Sequence, residues 1–149
     1  MTEIIPAIMP KNFNELEAHA EKFVGLVESV QIDVMDGVFV PEKSWPYDNA
    51  GTLDAVFKEI IAKDRRLPEI DTLSYELDLM VDSPEKSVKS WTQTGAKRVI
   101  FHIESIKDQD WFWKQLAHIK SPAPEFGVSG VDRSCNKHRN FKRRTLSTY

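Results

Sequence analysis

Strand-like and helix-like runs alternate from the N-terminus to about residue 128, and that alternation predicts an α/β fold of βαβ units on a parallel sheet. Two further observations support it. The segment Asp33-Val34-Met35-Asp36-Gly37-Val38-Phe39-Val40-Pro41 ends an apolar strand in an acidic side chain and follows it with a tight turn, the place where α/β folds keep their chemistry. The 149 residues are 41% hydrophobic and 29% charged, an ordinary composition for one globular domain with a buried core.

The first strand is expected at Glu3–Ile8. Asn12 then stands as a helix N-cap with Glu15 three residues on, as in a capping box. Phe13, Leu16, Ala20, Phe23, Val24 and Val27 mark one face of that helix. In Val30-Gln31-Ile32-Asp33-Val34-Met35, period-two alternation sends Gln31, Asp33 and Met35 to one side and Val30, Ile32 and Val34 to the other. Asp36-Gly37 breaks the strand. A loop rich in turn formers leads to a second helix bearing Leu53, Val56, Phe57, Ile60 and Ile61.

The third strand, Ser74–Met80, separates Tyr75, Leu77 and Leu79 from Ser74, Glu76, Asp78 and Met80. Pro84 suits the first turn of the next helix and Gly95 its C-terminal cap. A fourth strand is expected at Arg98–Ile103, a helix around Asp110–Ile119, and the start of a fifth strand at Phe126–Val128. By alternation Gln31, Asp33, Glu76, Asp78, His102 and Glu104 share the face that would point inward or upward. Carboxylates gathered there raise one another's pKa and favour either a cation or an open, solvated space. Asp33 could bind a metal or move a proton; it could equally be a solvated strand-end acid that caps the next turn.

Charge divides the chain. Residues 1–128 hold 14 Lys and Arg against 22 Asp and Glu, a balance of −8, whereas residues 129–149 hold 6 against 1, a balance of +5. Hydrophobic periodicity fails at the same point. Residues 1–128 therefore read as the folded part and 129–149 as a basic tail, either a disordered or frame-altered extension or a nucleic-acid-binding appendage. With only Phe141 and Tyr149 as aromatic residues the tail lacks the interleaving of a single-strand binder, so nucleic acid is not the expected partner. Cys135 stands alone, with no partner for a disulfide or at metal-ligand spacing. No run approaches the ~20 apolar residues of a membrane span and no signal peptide is evident. A cytoplasmic location without a membrane partner is the expectation.

Four blocks also carry a resemblance. Ile5-Pro6-Ala7-Ile8-Met9, the segment Asp33 to Pro41, Leu77-Asp78-Leu79-Met80-Val81-Asp82-Ser83-Pro84, and Thr94-Gly95-Ala96 followed by Val99-Ile100-Phe101-His102-Ile103-Glu104-Ser105 have the order and approximate spacing found in ribulose-phosphate 3-epimerases. Residues 3–128 thus resemble the N-terminal part of that family. The resemblance implies a (β/α)8 TIM-type barrel, an architecture of about 250 residues or somewhat less with its active site at the C-terminal strand ends. About five βα units are expected here, an incomplete barrel. Its open sheet edges could join copies into a homo-oligomer, or make the chain a non-catalytic binding module.

By the same resemblance the substrate would be a pentulose phosphate. Ribulose 5-phosphate and xylulose 5-phosphate interconvert when the C3 proton leaves one face and returns to the other, which needs two opposed acid/base groups. Asp33 matches the family's catalytic aspartate on the second strand, and the second aspartate is expected beyond the end of this chain. In the family a divalent metal, held by two histidines and those aspartates, stabilises the enediolate oxygen. Here Gln31 and Asp78 stand at the histidine positions. A metal site of Gln31, Asp33 and Asp78 would offer only oxygen donors, which suit Mg²⁺ or Mn²⁺ better than Zn²⁺. The alternative is a hydrogen-bonded polar layer that holds no metal.

Ala7 stands where the family carries a substrate-contacting serine. Met35 and Met80 match methionines that wall the family's site, although methionine also fills core gaps. His102 matches the family pattern at the end of strand four and reads as a residue lining the site. The six glycines form no phosphate-cradling motif. Epimerase turnover by this chain alone is expected to be weak or absent.

Overall fold

The computed structural model describes residues 4–118 and 124–129. The basic tail expected from residue 129 lies, apart from its first residue, outside them. Five strands, β1 (Ala7–Ile8), β2 (Ser29–Met35), β3 (Ser74–Met80), β4 (Arg98–His102) and β5 (Glu125–Ser129), form one sheet in the order β1-β2-β3-β4-β5. Every pairing is parallel. Helices α1 (Phe13–Phe23), α2 (Ala55–Ala62), α3 (Val88–Thr92) and α4 (Gln109–Ala117) fall between successive strands. An α/β sheet wound in sequence order is consistent with part of a (β/α)8 barrel.

Alternation decides which side of the sheet is dry. Val30, Ile32, Val34, Tyr75, Leu77, Leu79, Val99 and Phe101 are buried and share one core with Leu16, Ala20, Phe57, Ile60, Trp91 and Phe112 of the helices. Each such large apolar side chain contributes about 1.5–3 kcal/mol on burial, so the helix-facing side holds the sheet together and the other side is left to polar groups. Aromatic rings seal the helix layer: Phe57 lies 4.8 Å from Trp91, and Phe101 meets Phe112 edge-on at 4.9 Å.

The helix starts follow their caps. Asn12 Oδ1 accepts from Glu15 N–H at 2.9 Å, while Glu15 reaches back to Lys11 N–H at 2.8 Å rather than to Asn12. Asp54 caps α2 through Val56 and Phe57, and Asp108 caps α4 through Trp111.

Several boundaries differ from expectation. β1 is only two residues long; Pro6 has no N–H to extend the ladder, though its carbonyl still accepts from Gln31 N–H at 2.8 Å. α1 stops at Phe23, which leaves Val24 40% exposed off the expected apolar face. The helix expected from Pro84 is split into a 3₁₀ turn, Pro84–Lys86, and the short α3. Gly95 does not cap α3 directly: Gln93 does, and Gly95 takes its φ of +88° two residues later. β4 ends at His102 and the chain turns into a 3₁₀ segment, Ile103–Ser105, which carries Glu104 off the strand face into solvent.

Candidate active site

Parallel register sets which polar side chains meet. Ala7, Gln31, Glu76, Arg98 and Glu125 align in one row across the sheet, Asp33, Asp78 and Ile100 in the next, and Met35 and Met80 in a third. His102, two residues beyond Ile100 on the same face of β4, reaches back to the middle row. Ala7 is exposed at the edge, Met35 is buried, and Gln31, Asp33, Asp78, Met80 and His102 are half-buried.

Arg98 anchors the lowest row. Its guanidinium pairs with Glu76 on β3 and, through Nη2 at 2.8 Å and Nε at 3.1 Å, with Oε2 of Glu125 on β5. Glu76 is only 6% exposed, so its charge depends on this partner. One row up, Gln31 Nε2 donates to Asp33 Oδ1 at 2.8 Å, and His102 Nε2 is 2.8 Å from Asp78 Oδ1. Burial pushes the Asp33 carboxyl above the ordinary carboxylate range. The Gln31 hydrogen bond works against that rise, the Asp78 charge adds to it and His102 offsets it. The hydrogen bond to Asp78 pushes the His102 imidazole up; burial opposes this, and the charges of Asp78, Glu104 and Asp33 add to it.

The rim at the C-terminal strand ends is stitched by short polar contacts. Asp36 Oδ1 accepts from Val38 and Phe39 N–H at 2.8 and 3.0 Å, and its Oδ2 accepts from Asp82 N–H at 2.8 Å. This ties the turn after β2 to the end of β3. Ser83 N–H donates to Ser105 carbonyl at 3.0 Å, and Lys107 pairs with Asp82 at 2.8 Å, tying β3 to the turn after β4. Gly37 has a φ of +77°, a conformation that residues with a side chain rarely adopt, and a Cβ there would press the Lys43 side chain aside. The loop so formed lays Phe39 against His102, with ring centroids 5.6 Å apart. Ser44 Oγ donates to Asp33 carbonyl at 2.6 Å and accepts from Met35 N–H at 2.9 Å, fixing the end of β2.

The turn-capping role open to Asp33 is thus filled by Asp36, while Asp33 faces Asp78 and Gln31. Two residues that shape the site, Arg98 and Ser44, were missed in the sequence. Arg98 shares the parity of Ile100 and His102 on β4, a signal that alternation carries. Ser44 acts across a loop and has no local signature.

The expected metal donors were Gln31, Asp33 and Asp78. Gln31 turns its N–H₂ to Asp33, and Asp78 has an oxygen engaged by His102. Among the described residues no group of three His, Cys, Asp or Glu is placed to hold a metal ion. This donor set does not fit a divalent cation. No described helix is long and apolar enough to cross a membrane.

A model of the ribulose-phosphate 3 epimerase family matches residues 3–129. Ribulose-phosphate 3-epimerase from Candida glabrata is 29% identical over 108 residues, 70% of this chain and 44% of that protein. The enzyme of the same name from Eremothecium gossypii is 29% identical over 106 residues, 70% of this chain and 43% of that protein. The chain therefore spans less than half the length of these curated relatives. The family match runs through all five strands and every residue of the polar rows described above, and on that ground the chain belongs to the ribulose-phosphate 3-epimerase family.

Proposed function

We propose that this chain is an epimerase-type acid/base protein in which Asp33 exchanges the C3 proton of a pentulose phosphate, with ribulose 5-phosphate and xylulose 5-phosphate as the substrate pair. The observation that carries the reading is the half-buried Asp33 on the polar face of β2, its carboxyl raised by burial and aligned with Asp78 across the sheet. A base is most effective when its pKa lies near the working pH, and burial moves Asp33 in that direction. His102, on the same face, has an imidazole shifted towards its cationic form, and positive charge there favours an enediolate oxygen. Met35 and Met80, adjacent in register, would wall the sugar, and Ala7 would border it from β1. Residues 1–128 would make up the barrel part and residues 129–149 a basic appendage.

Inversion at C3 needs a second acid/base group facing the first. Exchange of that proton with solvent needs only one, so exchange is the appropriate assay. Ribulose 5-phosphate incubated with the purified chain in D₂O is expected to lose its C3 proton signal in the NMR spectrum, and Asp33→Asn is expected to stop the loss. Absence of exchange with a folded chain would remove the proposal.

A second reading rests on a separate observation: among the described residues β1 and β5 stand at the two ends of the strand order, each hydrogen-bonded to one neighbour in the sheet. Exposed strand edges recruit other chains. In this reading the chain is a non-catalytic module that assembles through those edges. Sedimentation as a well-folded monomer would rule it out.

A further inference from the structure

We propose that the Gln31–Asp33 and Asp78–His102 pairs replace a divalent cation in this chain, so that the polar layer is held by its own hydrogen bonds and binds no Mg²⁺ or Mn²⁺. The chain would depart here from its own family, whose members generally bind a divalent metal.

The argument starts from register. Asp33 and Asp78 are Cα partners on neighbouring parallel strands, which lie about 4.8 Å apart in any sheet, and like charges in adjacent positions on one face repel. Two half-buried carboxylates so placed need either a cation between them or a donor for each. The donors are present. Gln31 Nε2 lies 2.8 Å from Asp33 Oδ1, and His102 Nε2 lies 2.8 Å from Asp78 Oδ1.

The Gln31 amide presents N–H groups, which have no lone pair to give a metal. On the other side, His102 Nε2 is engaged by Asp78. A cation entering the layer would have to break both hydrogen bonds and reverse the amide. Arg98, one row below, is engaged with Glu76 and Glu125, so the Asp33–Asp78 row relies on its own two donors.

The test titrates MnCl₂ into the full chain and into the isosteric double variant Asp33→Asn, Asp78→Asn, following free Mn²⁺ by electron paramagnetic resonance. Circular dichroism checks that both are folded. Equal isotherms, with apparent dissociation constants within about twofold, are expected, since any Mn²⁺ that binds would then sit elsewhere. In ¹H–¹⁵N spectra of the unsubstituted chain, the Gln31 side-chain amide and His102 ring signals are expected to broaden no more than signals far from the site. A larger loss of affinity in the variant, or Mn²⁺ broadening selective for Gln31 and His102, overturns the proposal. Binding is read directly, so failure of the C3-exchange assay leaves this result standing.

Discussion

Replacing Arg98 with Met tests how the polar side of the sheet is held. The substitution keeps most of the aliphatic stem and removes every donor, which strands Glu76 at 6% exposure beside an apolar side chain. Removing one partner of a buried pair costs about 3–5 kcal/mol, while the more exposed Glu125 arm is worth at most about 1 kcal/mol. Arg98 itself keeps 27% of its side-chain surface in solvent and Glu125 keeps 41%, which places the expected loss at the low end, about 3 kcal/mol. For a chain of this size that corresponds to a Tm lower by about 6–12 °C. Urea melts followed by circular dichroism and tryptophan fluorescence give the number. Adding Glu76→Gln to the variant should recover a substantial part, because the stranded charge is then gone. A loss under about 1 kcal/mol for Arg98→Met, or no recovery in the double variant, would show that Glu76 does not depend on Arg98 and that the reasoning is wrong.

Four further outcomes are expected. An NMR titration of His102 should give a pKa above the ordinary value of 6.5, and Asp78→Asn should lower it, because the Asp78 hydrogen bond is the largest cause of the rise. The folded-state value being the higher, His102 contributes its full stabilisation below the unfolded value and loses it as pH rises through the folded one. For Asp33, burial makes the folded carboxyl hold its proton more tightly than the unfolded one, so its contribution is lost as pH climbs from 3.8 through the folded value; Asp33→Asn should be the more stable form at neutral pH, with the gap closing in acid. Asp36→Ala removes the acceptor of three N–H groups and should cost about 2 kcal/mol, with faster hydrogen exchange at Val38, Phe39 and Asp82. Gln31→His with Asp78→His should create a Co²⁺ affinity that depends on Asp33, visible as d–d absorption absent from the unsubstituted chain.

The sheet and its helices were legible because period-two and 3.6-residue patterns are local. Val30, Ile32 and Val34 alternate with Gln31, Asp33 and Met35 in the sequence, and the structure puts the first set under helices and the second on the polar side. What alternation could not give was where a strand stops. Glu104 has the parity of His102, yet the 3₁₀ turn after β4 removes it from the face. Pairings between strands were equally hidden, since register is a property of two strands at once: the Asp33–Asp78 alignment, the His102 reach to Asp78 and the Arg98 bridge over β3 and β5 depend on it. Asp36 and Asp33 show the local limit of the reading. Asp33 was the strand-end carboxylate with a possible capping role, and only the direction of the turn assigns that task to Asp36, three residues on.

The polar stitching along the rim bears on how the site would open. Asp36 grips the backbone N–H groups of both Phe39 and Asp82, and Asp82 in turn pairs with Lys107 in the turn after β4. Neighbouring segments joined in this way behave as one cooperative unit in native-state exchange. The turns after β2, β3 and β4 are therefore expected to open together, and loosening the Asp36 stitch is expected to speed hydrogen exchange in all three turns.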